Sequence, residues 1–320
     1  MRTTSLPLVG LKTSRNCSLR ILIIALMFLA PGQAFSQVDT AIADQHLSET
    51  LDSIVRTDKD VQPQLYRMNY WISGGLALAS TAANIWAIPN VIKAKPELTD
   101  AELASLNPDK HRGFDQWALK LDPTKRDQNY DYSDYMLPVI IAATGSLALD
   151  KKIRRDWLRL LVMYWETHAV TFNMYNFSFF GPAFQNKVRP VSYYTHFDDE
   201  FRRRGNHRNS FYSGHTASAA AASFFMAKVY TDYHPELGNK KYIFFGLATI
   251  PPLVEGYLRM KALAHFPSDV IVGLIIGATC GIVVPELHRY KRQGVKLGVT
   301  ATPVGPGISL TWQPRDRKLN

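Results

Sequence analysis

The sequence contains very little cysteine, with two residues in 320. Cys17 lies in a basic leader and Cys280 in an apolar segment. Removal of the leader leaves a single thiol, so the chain does not rely on an internal disulfide, and no zinc-site spacing occurs. We therefore predict a protein that has no disulfide framework, no bound metal and no cofactor.

A basic tract interleaved with aromatic residues is also missing, although the formal net charge is +10. Four basic residues fall in the first 36 residues, which contain no acid, and this leaves an excess of +6 for the remainder. An excess of that size suits anionic substrates or a membrane surface, whereas nucleic-acid binding needs a concentrated basic face. Nucleic acid is therefore not an expected partner.

The leader has the organisation of a secretory signal. A basic stretch ends at Arg20, an apolar run covers residues 21–30, and Ala34 and Ser36 form a small-x-small cleavage site before Gln37. The alternative is an uncleaved anchor, for which the apolar run is short. We predict a signal peptide over residues 1–36 and export of the protein.

Strand-like alternation is missing from the middle of the chain, where the apolar segments are rich in alanine, leucine and aromatic residues. Helices are predicted over residues 70–89, 136–149, 157–179, 213–230, 242–258 and 267–287. The predicted fold class is therefore all-α, a bundle of about six core helices. Alternation appears at residues 295–299 and 308–312, on either side of a turn cluster, and predicts a short C-terminal β-hairpin.

The segment over residues 95–134 is polar and reads as a long loop with short helices. Its aspartates, Asp127, Asp131 and Asp134, lack the glycine and the terminal glutamate of a calcium loop. We therefore expect these carboxylates to be solvated.

The stretch that carries chemistry covers residues 259–269 and begins with Arg259. His265 lies directly before a helix start marked by Pro267, and helix N-termini attract anions. Asp269 is placed to hydrogen-bond one ring nitrogen of that histidine and to leave the other free to act. A single histidine near a helix is more often a packed or capping residue, so a catalytic role depends on partners.

Two upstream stretches supply such partners. Ser213 and Gly214 stand at the start of an alanine-rich helix, where a hydroxyl and backbone amides can cradle a phosphate. His215 beside them can protonate a leaving oxygen. Arg189 can grip phosphate oxygens in a bidentate manner, and Pro190 ends the preceding helix. Taken singly, an ordinary serine cap and a basic turn also explain these residues.

Together, the Arg-Pro, Ser-Gly-His and Arg-x5-His-x3-Asp stretches resemble the type 2 phosphatidic acid phosphatase and vanadium haloperoxidase superfamily. Its signatures are Lys-x6-Arg-Pro, Pro-Ser-Gly-His and Ser-Arg-x5-His-x3-Asp, of which the third is the most specific. The resemblance extends over about residues 149–287. With the features above, it divides the chain into a signal peptide (1–36), N-terminal helices with a polar loop (37–135), a phosphatase-like helical core (136–290) and a hairpin tail (291–320).

The resemblance implies a role for each matching residue. His265 would be the nucleophile that forms a phosphohistidine, Asp269 would orient it, and His215 would be the general acid. The implied phosphate ligands are Arg189, Ser213, Gly214 and Arg259. Such a set fits phosphoryl transfer, which needs positive donors around the equatorial oxygens, an in-line nucleophile and an acid.

Three positions depart from the signatures. Pro182 stands where the first signature has lysine, Tyr212 replaces the proline of the second, and Leu258 replaces the serine of the third. Lys187, two residues before Arg189, is a candidate substitute for the missing lysine and joins the predicted phosphate ligands. Loss of one cationic ligand weakens binding or turnover by about 3 kcal/mol.

Basic residues cluster at three helix junctions, over residues 151–155, 240–241 and 289–292, all at the end of the predicted bundle opposite the signatures. This positive-inside pattern predicts that the site faces away from the cytoplasm. However, a mean hydropathy of −0.13 is low for six spans, and the helix predicted over residues 136–149 is short for one. We expect a cell-envelope protein that is membrane-embedded or membrane-associated.

These expectations favour a metal-independent phosphatase that acts on a phosphorylated lipid or a small phosphate ester, impaired to some degree by the missing lysine. A non-catalytic envelope protein that binds a phospholipid or polyprenyl phosphate is the main alternative, supported by the three departures. A vanadium haloperoxidase with vanadate on His265 is less favoured, because the first-signature lysine is replaced by Pro182.

Overall fold

The computed structural model describes residues 64–111, 113–289, 295–302 and 305–312. All of them belong to one compact unit, Pro63–Asn320. The predicted signal peptide and its cleavage site lie outside the described residues and stay predictions.

The described part of the chain before residue 290 consists of α-helices joined by loops, short 3-10 helices and one π-helix, Ile88–Ile92. The α-helices follow in chain order. They are α1 (Tyr70–Ala87), α2 (Asp100–Ser105), α3 (Arg126–Ala143), α4 (Lys151–Arg154), α5 (Trp157–Phe177), α6 (Asp199–Arg202), α7 (Gly214–Tyr233), α8 (Lys241–Leu247), α9 (Ile250–Lys261) and α10 (Pro267–His288). Residues 64–111 and 113–289 form no strand, so the all-α class is confirmed for this region. Beyond it, β1 (Val295–Thr302) and β2 (Gly305–Trp312) pair in antiparallel orientation.

The centre of the bundle is α7, whose small side chains are buried and let α10 approach closely. A Cβ atom on Gly277 of α10 would lie 2.0 Å from the carbonyl oxygen of Ala217, and one on Gly281 would lie 2.6 Å from that of Ala221. Only glycine fits at these positions without a backbone shift. The close packing brings the first turns of α7 and α10 together, and the amide of Ser213 donates to the Asp269 carbonyl oxygen at 3.1 Å.

Helix α3 corrects the predicted polar loop, because it begins at Arg126, ten residues before the predicted start. Its first half is polar since it packs against other polar groups of the bundle. The Ser133 hydroxyl donates to the buried carboxylate of Glu255 on α9, and Asp134 contacts Arg259 on the same helix. A helix face that contacts buried polar groups lacks the apolar periodicity that identifies a helix from sequence.

Two other predicted elements also differ from the structure. The predicted helix over residues 242–258 is divided into α8 and α9, with Pro251 and Pro252 in the first turn of the second helix, where proline is tolerated. Helix α5 ends at Phe177, so Pro190 does not terminate it. Instead, Pro190 opens a short 3-10 helix, Pro190–Tyr193.

Basic residues of two helix junctions lie at one end of the bundle. Lys152 pairs with Glu236 at 2.9 Å, and Arg289, which follows α10, pairs with Asp232 at 3.1 Å. Asp232 also accepts a hydrogen bond from Tyr66 at 2.8 Å. The first turns of α7 and α10 lie at the other end, so the cationic junctions and the predicted site are separated by the length of these helices.

Within the part of the chain that the structure describes, two helical segments, Tyr70–Ile92 and Pro267–His288, are long and apolar enough to cross a membrane. Of the most apolar stretch of 18 residues in the first segment, only 22% is buried within the protein. Its large apolar side chains are exposed, with Trp71 at 79% and Ile85 at 68%. A soluble protein buries most of the large apolar side chains of a core helix. Their exposure here fits association with a membrane.

Candidate active site

His265 lies in the short connection between α9 and α10 and is 2% exposed. Its Nδ1 atom is 2.6 Å from the backbone carbonyl oxygen of Ser210. Because a carbonyl only accepts, this hydrogen bond assigns the ring proton to Nδ1 and leaves the lone pair on Nε2. Burial, with Arg189 and Arg259 nearby, holds the pKa of His265 well below its usual value. The ring is therefore a neutral imidazole with an unprotonated Nε2.

Asp269 contacts the backbone and side chain around His265 rather than its ring. One carboxylate oxygen accepts from the Ser210 hydroxyl at 2.6 Å and from the Phe266 amide at 2.9 Å. The carboxylate lies in the first turn of α10 and turns back to satisfy the amide at the helix start. The direct hydrogen bond to the ring that the spacing predicts is thus replaced by an indirect connection through Ser210.

Lys187 is held by carboxylates. Its ammonium nitrogen lies 2.7 Å from Asp269 Oδ1, 2.9 Å from the Ser268 hydroxyl and 3.3 Å from Asp115 Oδ2. It also lies 4.5 Å from the centre of the Phe266 ring. These contacts place the Lys187 ammonium beside Asp269. Its predicted role as a phosphate ligand stays a prediction.

The two predicted arginines converge on the same region. Arg189 is buried, and its Nε donates to the carbonyl oxygen of Asn209 at 3.3 Å. Arg259 is 1% exposed, and its Nη1 lies 3.4 Å from Asp134 Oδ1. Both guanidinium charges act on His265, as its lowered pKa indicates. This region therefore combines two fixed cations with a neutral imidazole, which suits a phosphoryl group.

His215 lies in the first turn of α7, and a third of its side chain is exposed. Its Nε2 is 3.5 Å from Asp134 Oδ1. Withdrawal from water, together with Arg259, lowers the pKa of His215 to about 4, and the Asp134 carboxylate opposes that shift. Asp134 thus bridges the predicted general acid and one predicted phosphate ligand.

Ser213 and Gly214 occupy the helix start that the sequence predicts. The Ser213 hydroxyl caps α7, because it accepts from the Thr216 amide at 3.4 Å and lies 2.8 Å from the Thr216 hydroxyl. A Cβ on Gly214 would lie 3.0 Å from the Tyr175 ring. The hydroxyl is therefore occupied by capping, and the positive end of the helix is what this stretch offers an anion.

Residues of α3 complete this region, and the sequence interpretation missed them. The guanidinium groups of Arg259 and Arg126 lie 4.4 Å and 5.4 Å from the centre of the Tyr130 ring. Among the described residues, the buried Nε atoms of both arginines have no hydrogen-bond partner. Arg126, Tyr130 and Asp134 follow one another at intervals of four, a spacing that would have placed them on one face had the segment been recognised as a helix.

The departures from the signatures have local structural partners. Tyr212 is fully buried and meets the Tyr175 ring edge-to-face, with ring centres 5.5 Å apart. Pro182 is buried in the segment that follows α5. Its side chain carries no positive charge. Arg126 instead brings a third guanidinium near the two predicted arginines and contributes to the field at Arg189.

The match to a protein family agrees with these signatures. Residues 158–293 match the PAP2 superfamily, and this range includes every predicted site residue. A crystal structure described as the first transmembrane PAP2-type phosphatidylglycerolphosphate phosphatase from Bacillus subtilis aligns with a TM-score of 0.37 and 18% identity, covering 67% of this chain and 94% of that one. No curated protein gives a match. The match over residues 158–293 therefore supports a relationship of this region to the PAP2 superfamily.

Proposed function

We propose that this protein is a phosphatase that hydrolyses a phosphate monoester or a lipid phosphate through a phosphohistidine. The superfamily match supports a phosphatase-type function at the superfamily level. The observation that carries the mechanism is the hydrogen bond between His265 Nδ1 and the Ser210 carbonyl oxygen, because it leaves Nε2 as a nucleophile. The neighbouring Arg189 and Arg259 provide the cationic surroundings that a phosphoryl group needs.

In the first step, His265 Nε2 attacks phosphorus, the new P–N bond forms, and the P–O bond to the leaving alcohol breaks. His215 donates its proton to the leaving oxygen. In the second step, His215 accepts a proton from water, the water oxygen attacks phosphorus, and the P–N bond breaks to release phosphate. Arg189 and Arg259 hold the equatorial oxygens throughout. Because these side chains supply both the charge and the proton transfer, the proposed reaction needs no metal ion.

His215 must be protonated in the first step, although burial and Arg259 lower its pKa to about 4. A bound phosphate ester brings negative charge next to the imidazole and raises that pKa. The Asp134 carboxylate shifts the pKa of His215 in the same direction. Substrate binding and the Asp134 carboxylate together therefore favour the acid form of His215.

We further propose a phosphorylated lipid as the substrate class and the cell envelope as the location. The exposed apolar side chains of α1 and the apolar segment Pro267–His288 support membrane association. The cationic junctions lie at the end of the bundle away from the candidate site, which by the positive-inside rule favours a site that faces away from the cytoplasm. A lipid phosphate group at that membrane surface would reach the site without leaving the bilayer.

The test is hydrolysis by the full chain, purified in detergent, of a generic aryl phosphate and of phosphatidic acid in mixed micelles. We expect His265→Ala and His215→Ala each to abolish turnover, and orthovanadate to inhibit the unaltered protein. His196→Ala is the matched control, because His196 is exposed and lies outside the site. Full activity in both site variants would refute the proposal.

A non-catalytic phosphate-binding protein is the second candidate, favoured by one observation. Lys187 is engaged by Asp269 and Asp115, and Pro182 occupies the lysine position of the first signature. Binding of a lipid phosphate to the folded protein without any release of phosphate, across the same substrates, would support this candidate.

A further inference from the structure

Asp269 is part of a chain of hydrogen bonds that begins at Asp115, outside the residues that match the PAP2 superfamily. Asp115, on the 3-10 helix Gly113–Leu119, accepts from the Ser268 amide at 2.9 Å and from the Ser268 hydroxyl at 2.6 Å. The same carboxylate lies 3.3 Å from Lys187 Nζ. Lys187 in turn donates to Asp269 at 2.7 Å. Asp115 thus fixes both the lysine and the residue next to Asp269.

The chain continues from Asp269 to the proposed nucleophile through a single residue. The Ser210 hydroxyl donates to Asp269 at 2.6 Å, and the Ser210 carbonyl accepts from His265 Nδ1 at 2.6 Å. The Ser210 amide donates to the Lys187 carbonyl at 2.9 Å, so the lysine also holds the backbone of this residue. Ser210 and Asp269 are fully buried. A shift in either one moves the acceptor that determines the tautomer of His265.

We propose that Lys187 and Asp115 are positioning residues, which act through Asp269 and Ser210 to hold His265 in the tautomer with Nε2 unprotonated. This inference rests on the proposed phosphatase function. Lys187 neutralises Asp269, whose carboxylate would otherwise be a buried charge, and the ring of Phe266 contacts the same ammonium at 4.5 Å. Asp115 limits the directions in which the lysine can point. Neither side chain needs to touch the phosphate.

Kinetics separate this role from that of a phosphate ligand. We expect Lys187→Met to lower kcat by about 10- to 100-fold with KM changed by less than about threefold, because an indirect contact orients the nucleophile without binding substrate. Lys187→Arg restores part of kcat. Lys152→Met is the matched control, since it removes an exposed lysine–glutamate pair at 2.9 Å. A rise in KM and in the vanadate inhibition constant, with kcat retained, would overturn the proposal.

Asp115→Asn is the second variant, because it keeps the side-chain volume and removes the charge that holds Lys187. We expect a smaller loss of kcat, and a double variant with Lys187→Met that loses less than the product of the two single losses. Multiplicative losses would show that the two residues act independently and would contradict the chain of contacts. Thermal midpoints of all variants in detergent show which losses of activity reflect unfolding.

The tautomer of His265 can be read without turnover. Nitrogen NMR of protein labelled on the histidine rings, with His265 assigned by its absence in His265→Gln, should show a protonated Nδ1 in the unaltered protein. We expect Lys187→Met to shift the population towards protonated Nε2. An unchanged tautomer in a folded Lys187→Met protein would refute the positioning role. A failure of the unaltered protein to hydrolyse phosphate esters would refute the proposed function, and the two results are distinguishable.

Discussion

The carboxylate of Asp134 faces the imidazole of His215 across 3.5 Å. Asp134 raises the pKa of His215 against the lowering effects of desolvation and Arg259. It also lies 3.4 Å from Arg259, so one carboxylate connects the proposed acid to a proposed phosphate ligand.

Replacement of Asp134 is expected to change the pH dependence of turnover. In Asp134→Asn, His215 loses a partner that favours its protonated form, so its pKa falls. Since the general acid must be protonated, the alkaline limb of the kcat profile moves to lower pH, by about one unit. The measurement is kcat against pH for the aryl phosphate, with Asp100→Asn as the control because Asp100 pairs with Arg203 away from the site. An unchanged alkaline limb would contradict the assignment.

Arg126 is expected to contribute to phosphate binding. Its guanidinium lies 5.4 Å from the Tyr130 ring that also faces Arg259, and it supplies positive charge that the signature position at Pro182 does not. We expect Arg126→Met to raise KM and the vanadate inhibition constant by about tenfold, with a smaller change in kcat. Arg203→Met is the control. Equal constants for Arg126→Met and the unaltered protein would exclude Arg126 from the site.

Close packing of α10 on α7 is expected to be sensitive to a single methyl group. A Cβ on Gly277 would lie 2.0 Å from the Ala217 carbonyl oxygen, so Gly277→Ala requires the backbones to separate. We expect a loss of about 1–3 kcal/mol in stability, measured as a lower thermal midpoint in detergent. A Cβ on Gly246 meets no atom within 4 Å, so Gly246→Ala is the matched control and leaves the midpoint unchanged or higher.

The buried ion pairs at the opposite end of the bundle are expected to affect stability and not chemistry. Lys228 is 6% exposed and lies 2.8 Å from Glu286, and it also pairs with Asp232. Lys228→Met removes the buried cation of this group and leaves Asp232 and Glu286 with the more exposed Arg289, so it should cost about 2–3 kcal/mol. The kcat per folded molecule should match that of the unaltered protein. A large fall in kcat at an unchanged thermal midpoint would show coupling between the two ends.

Most of the bundle could be predicted because its helices carry local signals. Helix α10 begins at Pro267 and α7 begins after the cap residue Ser213, as their sequences indicate. Helix α3 could not be predicted at its true start, because Tyr130, Ser133 and Asp134 face polar partners and leave no apolar stripe. Its aspartates were expected to be solvated, yet Asp134 contacts His215 and Arg259.

The sequence by itself determined the order of the three signature stretches and the choice of His215, Arg189 and His265 as candidate site residues. These follow from residue types at fixed local spacings, which can be recognised without knowledge of the fold. Only the tertiary structure decided which groups hold these residues. The Ser210 contact to His265 spans 55 positions and the Asp115 contact to Ser268 spans 153. Such partners are selected by how the helices pack, which no local spacing encodes.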